Sequence, residues 1–165
     1  PPDLPKYVLI AAPHTSARDV VIMLLAGFAL QVRLSWLGKH TLFIPPLGWL
    51  LRRLGGIPVD RRQRGNTVQQ TVARFRAVER MALAVSPEGT RQKARYWKTG
   101  FYHIARGAGV PLVAGYIDFQ HKVAGIGPAF YPTGDLEADL VPIREFYARV
   151  TGLRPEQFGE IRVKE

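Results

Sequence analysis

Apolar and polar positions alternate along the chain in a way that predicts short strands separated by helices. Apolar runs rich in strand-forming residues predict strands at residues 7–12, 32–37, 81–85, 110–119 and 122–130. Residues 57–59 form at most a short edge strand, because Pro58 has no N–H to donate. Helices are predicted over residues 18–31, 47–54, 66–80, 100–106 and within 135–150. This alternation predicts an α/β domain whose sheet is mostly parallel or mixed and is flanked by helices.

Local signals suggest where several of these helices begin and end. Thr15 or Ser16 is expected to cap the helix over residues 18–31, and Asn66 the helix over residues 66–80. Gly55 is expected to end the short helix before it. Pro142 is expected near the first turn of the last helix, where its missing N–H is tolerated.

Length and composition fit one folded domain over residues 1–165. Of the 165 residues, 47% are apolar and 22% are charged, which is a folded composition. There is no cysteine, so a disulfide, a thiolate zinc site and a cysteine nucleophile are all excluded. The opening Pro1-Pro2 resembles a linker more than a natural start, so we expect a trimmed chain or a processed N-terminus.

The longest apolar stretch, residues 20–30, is too short to span a bilayer, which needs roughly 18 or more residues. Because the helix that contains it is apolar nearly all round, we expect it to be central or pressed against lipid. Trp49, beside two leucines and two arginines at residues 50–53, is the best candidate for membrane contact. Plain packing of this tryptophan is an equally good interpretation.

A net charge of +10 bears on possible partners. A surface this basic attracts polyanions such as nucleic acid, anionic lipid headgroups and small molecules that carry phosphate. Charge alone does not choose among them, and a solvated basic surface without a dedicated partner explains it as well.

The first candidate for chemistry is the pair His14 and Asp19. Five residues apart on one helix, they would point about 140° away from each other. If His14 lies in the loop before the helix, its ring can fold back over Asp19, whose carboxylate would then fix the tautomer. Taken alone, the pair is better explained by an ordinary loop histidine and a first-turn carboxylate favoured by the helix dipole, since a His and an Asp five apart often occur by chance.

A second candidate is the turn at residues 86–91, SPEGTR, directly after a predicted apolar strand. Proline and glycine favour a tight turn that presents a carboxylate, a hydroxyl and a guanidinium together. Arg91 could hold a phosphate through two parallel hydrogen bonds, and Glu88 could orient that arginine or bind an acceptor hydroxyl. The alternative is a solvated turn with a surface ion pair.

The third candidate, residues 55–61 (GGIPVDR), joins two glycines to Arg61 at the start of a basic loop over residues 61–65. The glycines permit close approach of the backbone to a ligand. A helix stop followed by a basic loop explains the same residues. The histidines at positions 40, 103 and 121 have no metal-ligand spacing, and no metal site is predicted.

In this order, HTSARD, GGIPVDR and SPEGTR resemble the sequence blocks of the glycerolipid acyltransferase family, which includes the 1-acylglycerol-3-phosphate acyltransferases. A fourth block, an apolar strand with proline, is matched by Val110 and Pro111. The resemblance covers residues 7–130, with a C-terminal helix and tail over residues 135–165. Arg18 stands where many relatives have an aromatic residue, and Ser86 stands where many have phenylalanine. These two differences leave the substrate preference open.

The resemblance implies a fold like that of glycerol-3-phosphate acyltransferase and a role for each matched residue. His14 would be the general base and Asp19 its orienting partner. Acceptor and phosphate binding would fall to a larger set, which comprises Lys39, Arg61, Glu88, Gly89, Thr90 and Arg91. Val110 and Pro111 would be structural or face the acyl chain.

The resemblance also implies the partners. A fatty acyl group would pass from acyl-CoA or an acyl carrier protein to a hydroxyl of a lysophospholipid, with no metal and no cofactor. The protein would be peripheral on the cytoplasmic face of a membrane, as in a bacterial cell, and would not bind nucleic acid. Two alternatives remain: a basic module that binds lipid or nucleic acid without catalysis, and the same chemistry on another acceptor, such as a lipid-linked amine or a sugar.

Overall fold

The computed structural model describes residues 3–59 and 64–164, and it has a six-stranded mixed sheet flanked by helices. The strands are β1 (Lys6–Ala11), β2 (Leu34–Lys39), β3 (Gly56–Val59), β4 (Met81–Val85), β5 (Leu112–Asp118) and β6 (Val123–Phe130). The helices are α1 (Arg18–Ala29), α2 (Leu47–Arg53), α3 (Arg64–Ala77), α4 (Gly100–Ala108) and α5 (Leu136–Tyr147). Short 3-10 turns lie at His40–Leu42 and Pro155–Gln157.

The strand order is β3-β2-β4-β1-β5-β6, and all neighbours are parallel except β5 and β6. This confirms the predicted α/β class with a mixed sheet. The short strand with proline, β3, lies at one edge, as a strand that lacks a donor should. Because β1, β2, β4 and β5 run in the same direction, their carboxyl ends lie along one edge of the sheet.

Strand β1 is central, and its side chains divide the core into two parts. Val8 and Ile10 are fully buried among side chains of α3, α4 and α5. Tyr7 and Leu9 point to the opposite face, where Met23 of α1 packs against them. Apolar residues at every position from Tyr7 to Ala11 are typical of a strand that is covered on both faces.

Helix α1 is not central, contrary to one of the two expectations for it. Val21, Leu25 and Phe28 are exposed by 58%, 65% and 88% within the described part of the chain. Only the side toward the sheet, with Met23, takes part in the core. An apolar pattern all round a helix does not say which of its faces is covered. No helix among the described residues is long and apolar enough to cross a bilayer.

Two predicted helix signals are wrong, and one is confirmed in part. Ala17 takes the N-cap position of α1 without a side-chain bond, but the Ser16 hydroxyl accepts the N–H of Arg18, the first residue of the helix, at 3.1 Å. The Thr15 hydroxyl instead accepts the N–H of Arg154. The third helix begins at Arg64, so Asn66 lies inside it and the basic loop expected through residue 65 ends earlier. Pro142 lies in the interior of α5, whose N-cap is Asp135.

Tyr147, the last residue of α5, joins two central strands near their carboxyl ends. Its hydroxyl is placed to donate to the carbonyl oxygens of Ile10 and Gly115, at 2.9 and 3.0 Å. Burial raises the pKa of this phenol well above its ordinary value, so it remains a donor. The C-terminal helix is thereby fixed to the edge of the sheet from which the loop with His14 departs.

Candidate active site

Two neighbouring parallel strands bring the turns with His14 and Glu88 together. Strands β1 and β4 pair with Ile10 opposite Val85, so the chain leaves both at the same level. The His14 backbone N–H then donates to Glu88 Oε1 at 3.0 Å. The two turns therefore meet at the carboxyl edge of the sheet, where α/β folds commonly bind ligands.

The structure places the His14 ring beside the Asp19 carboxylate. His14 Nδ1 lies 3.5 Å from Asp19 Oδ2, and the two side chains are 22% and 5% exposed. His14 precedes α1, whose first residue is Arg18, so the loop turns the ring back over the helix. The distance exceeds that of a usual hydrogen bond, but such contacts often shorten when substrate binds.

The position of Asp19 is fixed by the backbone that carries His14. Asp19 Oδ2 accepts the N–H groups of Thr15 and Ser16, both at 2.8 Å. Its other oxygen is buried and has no partner among the described residues. The carboxylate is thus held firmly while one of its oxygens remains available for an additional donor.

Glu88 is buried, with 4% of its surface exposed. Within the part of the chain that the structure describes, its carboxylate accepts a hydrogen bond from the His14 N–H and not from the Arg91 guanidinium. Its Oε2 is buried and has no partner among the described residues. Burial raises the pKa of Glu88, while the His14 N–H and the charge of its ring oppose this and Asp19 adds to it. Glu88 therefore joins the two turns of the site, a contact that differs from the expected orienting of Arg91.

Because the pKa of Glu88 is raised above its ordinary value near 4.5, stability should depend on pH. Above that value the unfolded chain releases this proton while the folded protein retains it, so stability falls as pH rises through the raised pKa. Relative to Glu88→Gln, we expect the free energy of unfolding of the wild type to decline by at most about 1.4 kcal/mol per pH unit. Urea denaturation from pH 4 upward measures this.

The matched control is Glu79→Gln, which makes the same chemical change at an exposed position. If the stability curves of wild type and Glu88→Gln run parallel across the acidic range, Glu88 does not titrate as described.

Gly89, Thr90 and Arg91 form a tight turn beneath Lys98. Gly89 has φ +64°, a backbone conformation that favours glycine, and the Lys98 ammonium lies close above it. The Thr90 hydroxyl accepts the N–H of Gln92 at 3.2 Å. Arg91 is exposed and lines the cavity, where its guanidinium is accessible to an anion.

The remaining predicted site residues lie apart from this group. Lys39 ends β2 at the same edge of the sheet, but its exposed side chain does not line the cavity. Arg61 lies outside the described residues. Val110 and Pro111 are buried at the start of β5, at the opposite edge, where the Pro111 carbonyl accepts the Val8 N–H. Their position favours the structural role over the acyl-facing one.

A cavity of about 1150 Å³ connects the polar edge to the apolar interior between α1 and the sheet. His14, Asp19 and Arg91 lie among its lining residues. Its apolar walls come from α1 and the sheet, and include Leu9, Met23, Leu30, Leu34, Tyr116 and Ile126. The volume slightly exceeds the roughly 300–1,000 Å³ typical of ligand pockets. The site can therefore place a long apolar group beside an imidazole.

Three residues at this site were not among the predicted site residues: Thr15, Lys98 and Gln157. Lys98 lines the cavity and belongs to the polar loop after β4, so the basic composition of that loop was a usable signal. Thr15 is 1% exposed, and Gln157 lies far along the chain, so no local pattern marked either of them. Within the described residues, no group of three or more histidine or carboxylate side chains could hold a metal ion.

The family model described as "Acyltransferase" matches residues 3–118, which is more than half of the chain and contains both turns of the site. The chain therefore belongs to the acyltransferase family.

Particular relatives are all described as acting on one acceptor. The chain is 35% identical over 107 residues to a 1-acyl-sn-glycerol-3-phosphate acyltransferase of Haemophilus influenzae, covering 61% of this chain and 43% of that protein. It is 32% identical over 122 residues to the enzyme of the same name from Escherichia coli K12, covering 68% and 48%. The chain spans about half the length of the curated relatives it matches.

A solved structure has the same fold. The crystal structure of the 1-acyl-sn-glycerophosphate (LPA) acyltransferase PlsC from Thermotoga maritima matches with a TM-score of 0.59 and 20% identity. The match covers 92% of this chain and 70% of that one.

Proposed function

We propose that this protein transfers a fatty acyl group from an acyl thioester to the free hydroxyl of 1-acylglycerol-3-phosphate. The observation that carries the proposal is the position of His14, with Nδ1 turned to Asp19, at the polar end of a cavity with apolar walls. The names of the relatives support this choice of acceptor.

In the proposed mechanism, Asp19 keeps the proton of the imidazole on Nδ1, so that Nε2 accepts the proton of the acceptor hydroxyl. The hydroxyl oxygen attacks the thioester carbonyl and forms a C–O bond. The C–S bond then breaks, and the imidazolium returns its proton to the leaving thiolate. The products are an acylated acceptor and a free thiol, and no covalent intermediate with the enzyme is needed.

The acceptor phosphate would lie at the turn that carries Arg91. Its guanidinium can form two parallel hydrogen bonds to a phosphate, and the Lys98 ammonium above Gly89 adds a second positive charge. Lys39 and Arg61 are proposed to contribute further charge. Holding the phosphate here and the acyl chain in the apolar cavity would bring the hydroxyl and the carbonyl together at His14.

The experiment that tests this function is an assay of thiol release with the purified protein. Acyl-CoA and acyl carrier protein loaded with an acyl group are compared as donors. The acceptors are 1-acylglycerol-3-phosphate and a monoacylglycerol that lacks the phosphate. We expect release that depends on the phosphate-bearing acceptor. Release that is equally fast without any acceptor, or no release with either donor, contradicts the proposal.

The exposed apolar surface of α2 and the loop before it suggests how such an acceptor is reached. Ile44, Trp49 and Leu50 are exposed by 64%, 66% and 48%. The Arg53 guanidinium lies over the Trp49 ring, 5.0 Å from its centroid. Apolar and aromatic side chains together with arginines suit the interface of an anionic bilayer. We therefore propose that the protein binds a membrane peripherally through this surface, on the cytoplasmic face that the resemblance to the family implies.

Trp49→Ser should weaken binding to vesicles that contain anionic phospholipid by about tenfold, because a large apolar side chain no longer enters the interface. Co-sedimentation with these vesicles measures the change. Tyr131→Ser is the matched control, since Tyr131 is 67% exposed at a site away from α2. Equal losses in the two variants, or no binding by the wild type, would refute this surface as the membrane contact.

A further inference from the structure

The segment that follows α5 contacts both turns of the site, although it lies beyond the residues matched by the family model. We call residues 151–157 the C-terminal brace. Within it, the backbone N–H of Arg154 donates to Thr15 Oγ1 at 3.2 Å. Gly152 is buried against Pro13 and Thr15, and a Cβ there would lie 3.1 Å from Pro13 Cβ. The brace thus packs closely on the loop that carries His14.

Gln157 links that loop to the turn with Arg91. One terminal atom of its side-chain amide lies 3.2 Å from the Thr15 carbonyl oxygen and 2.6 Å from the Arg91 carbonyl oxygen, and we assign the nitrogen to this position. The nitrogen must face these atoms, because an amide oxygen would meet two acceptors. An NH₂ group has two protons, so one side chain can donate to both carbonyls. The two turns are thereby joined through a single amide.

Both carbonyls belong to residues at critical points of the site. Thr15 is 1% exposed, and its N–H is one of the two that hold Asp19 Oδ2. It also follows His14 directly, so a shift of Thr15 moves the base and its partner together. Arg91 carries the guanidinium proposed to hold the acceptor phosphate. The spacing of these two carbonyls therefore fixes how far apart the two turns lie, one carrying His14 and the other carrying Arg91.

We propose that Gln157 is a positioning residue that fixes the spacing between the His14–Asp19 pair and the phosphate site at Arg91. This rests on the proposed acyl transfer to a phosphate-bearing acceptor. Gln157 does not touch the reacting atoms, and it acts through the backbones of Thr15 and Arg91. Loss of its two hydrogen bonds lets the turns separate, so the acceptor hydroxyl is held less accurately at His14.

The first test compares Gln157→Met with Gln157→Lys. Both side chains are unbranched and of similar shape, but only lysine restores a donor toward the carbonyls. We expect Gln157→Met to lower kcat/KM for 1-acylglycerol-3-phosphate about tenfold, with KM for the acyl donor changed less than about twofold. Gln157→Lys should recover part of the loss.

The control is Gln120→Met. Gln120 Oε1 accepts a hydrogen bond from Thr151 Oγ1 at 3.1 Å, so this variant also removes a glutamine contact to the brace, but one outside the two turns. It should retain the kcat/KM of the wild type. A KM for the acyl donor that rises in Gln157→Met as much as kcat/KM for the acceptor falls, or a loss matched by Gln120→Met, would overturn the positioning role.

Hydrogen–deuterium exchange tests the brace without the assay. The N–H groups of His14, Thr15 and Ser16 are hydrogen-bonded to carboxylates in the intact site. Their exchange should therefore be faster in Gln157→Met than in the wild type, while Gln120→Met should leave the exchange rates unchanged. If the wild type shows no acyl transfer, the proposed function fails while exchange still tests the brace. Unchanged exchange in Gln157→Met would overturn the brace, whatever the activity.

Discussion

Replacing His14 by alanine is expected to lower kcat for acyl transfer by about 10²- to 10⁴-fold, the usual contribution of a general base. The residual rate would come from orientation of the acceptor at Arg91 and of the acyl chain in the cavity. His14 donates its backbone N–H to Glu88, and alanine keeps that N–H. The fold and the turn should therefore survive. Thiol release at saturating donor and acceptor measures the loss.

The chain offers a matched control for this variant in a second pair of the same residue types. His121 Nδ1 lies 2.8 Å from Asp118 Oδ2 in the turn between β5 and β6, with a His121 side chain that is 64% exposed. Neither residue lines the cavity. His121→Ala should therefore retain the wild-type rate. Equal rates for wild type and His14→Ala would remove the proposed mechanism, and no thiol release by either protein would favour a basic module that binds without catalysis.

The parts of the fold that local patterns specify could be predicted from the sequence. Strand β4 lies at the predicted residues 81–85, because its apolar run is bounded by clear breaks. Helix α2 and the edge strand β3 follow from the paired glycines at 55–56 and from Pro58. The parallel arrangement follows from the alternation of strands and helices, because parallel neighbours need a connection across the sheet.

Helix boundaries were less predictable because the type of a residue does not fix which donor its side chain meets. Thr15 and Ser16 are both good capping residues by type, but only the Ser16 hydroxyl accepts an N–H of the first turn of α1, while the Thr15 hydroxyl accepts the N–H of Arg154. Asn66 likewise has a capping side chain, yet the helix starts two residues before it. Sequence shows that a residue can cap a helix and does not show which N–H group its side chain will accept.

The sequence predicted which residue types form the site, but it did not predict the contacts between them. His14 and Glu88 are 74 positions apart in the sequence, and they meet only because β1 pairs with β4. The Gln157 amide meets Thr15 and Arg91 only after α5 has been fixed to the sheet. Contacts that depend on the packing of the whole chain leave no periodic pattern in the sequence. The resemblance to a family therefore indicated the residues of the two turns, but it did not indicate the C-terminal brace.

Asp19 should act on catalysis through His14, and combining two variants can show this. Asp19→Asn keeps one oxygen that can accept the N–H groups of Thr15 and Ser16, but it replaces the charge that would stabilise an imidazolium. We expect it to lower kcat by on the order of 10²- to 10⁴-fold. Asp118→Asn makes the same change in the pair outside the cavity and should leave kcat unchanged.

The double variant His14→Ala with Asp19→Asn should be no slower than His14→Ala alone, because an orienting carboxylate has nothing to orient once the ring is gone. Steady-state thiol release by the four proteins of this cycle gives the coupling directly, and urea denaturation of each shows that the rates compare folded proteins. If the two losses multiply instead, Asp19 contributes independently of His14. Its remaining role would then be to hold the backbone at Thr15 and Ser16, and the 3.5 Å approach of the two side chains would have no part in the chemistry.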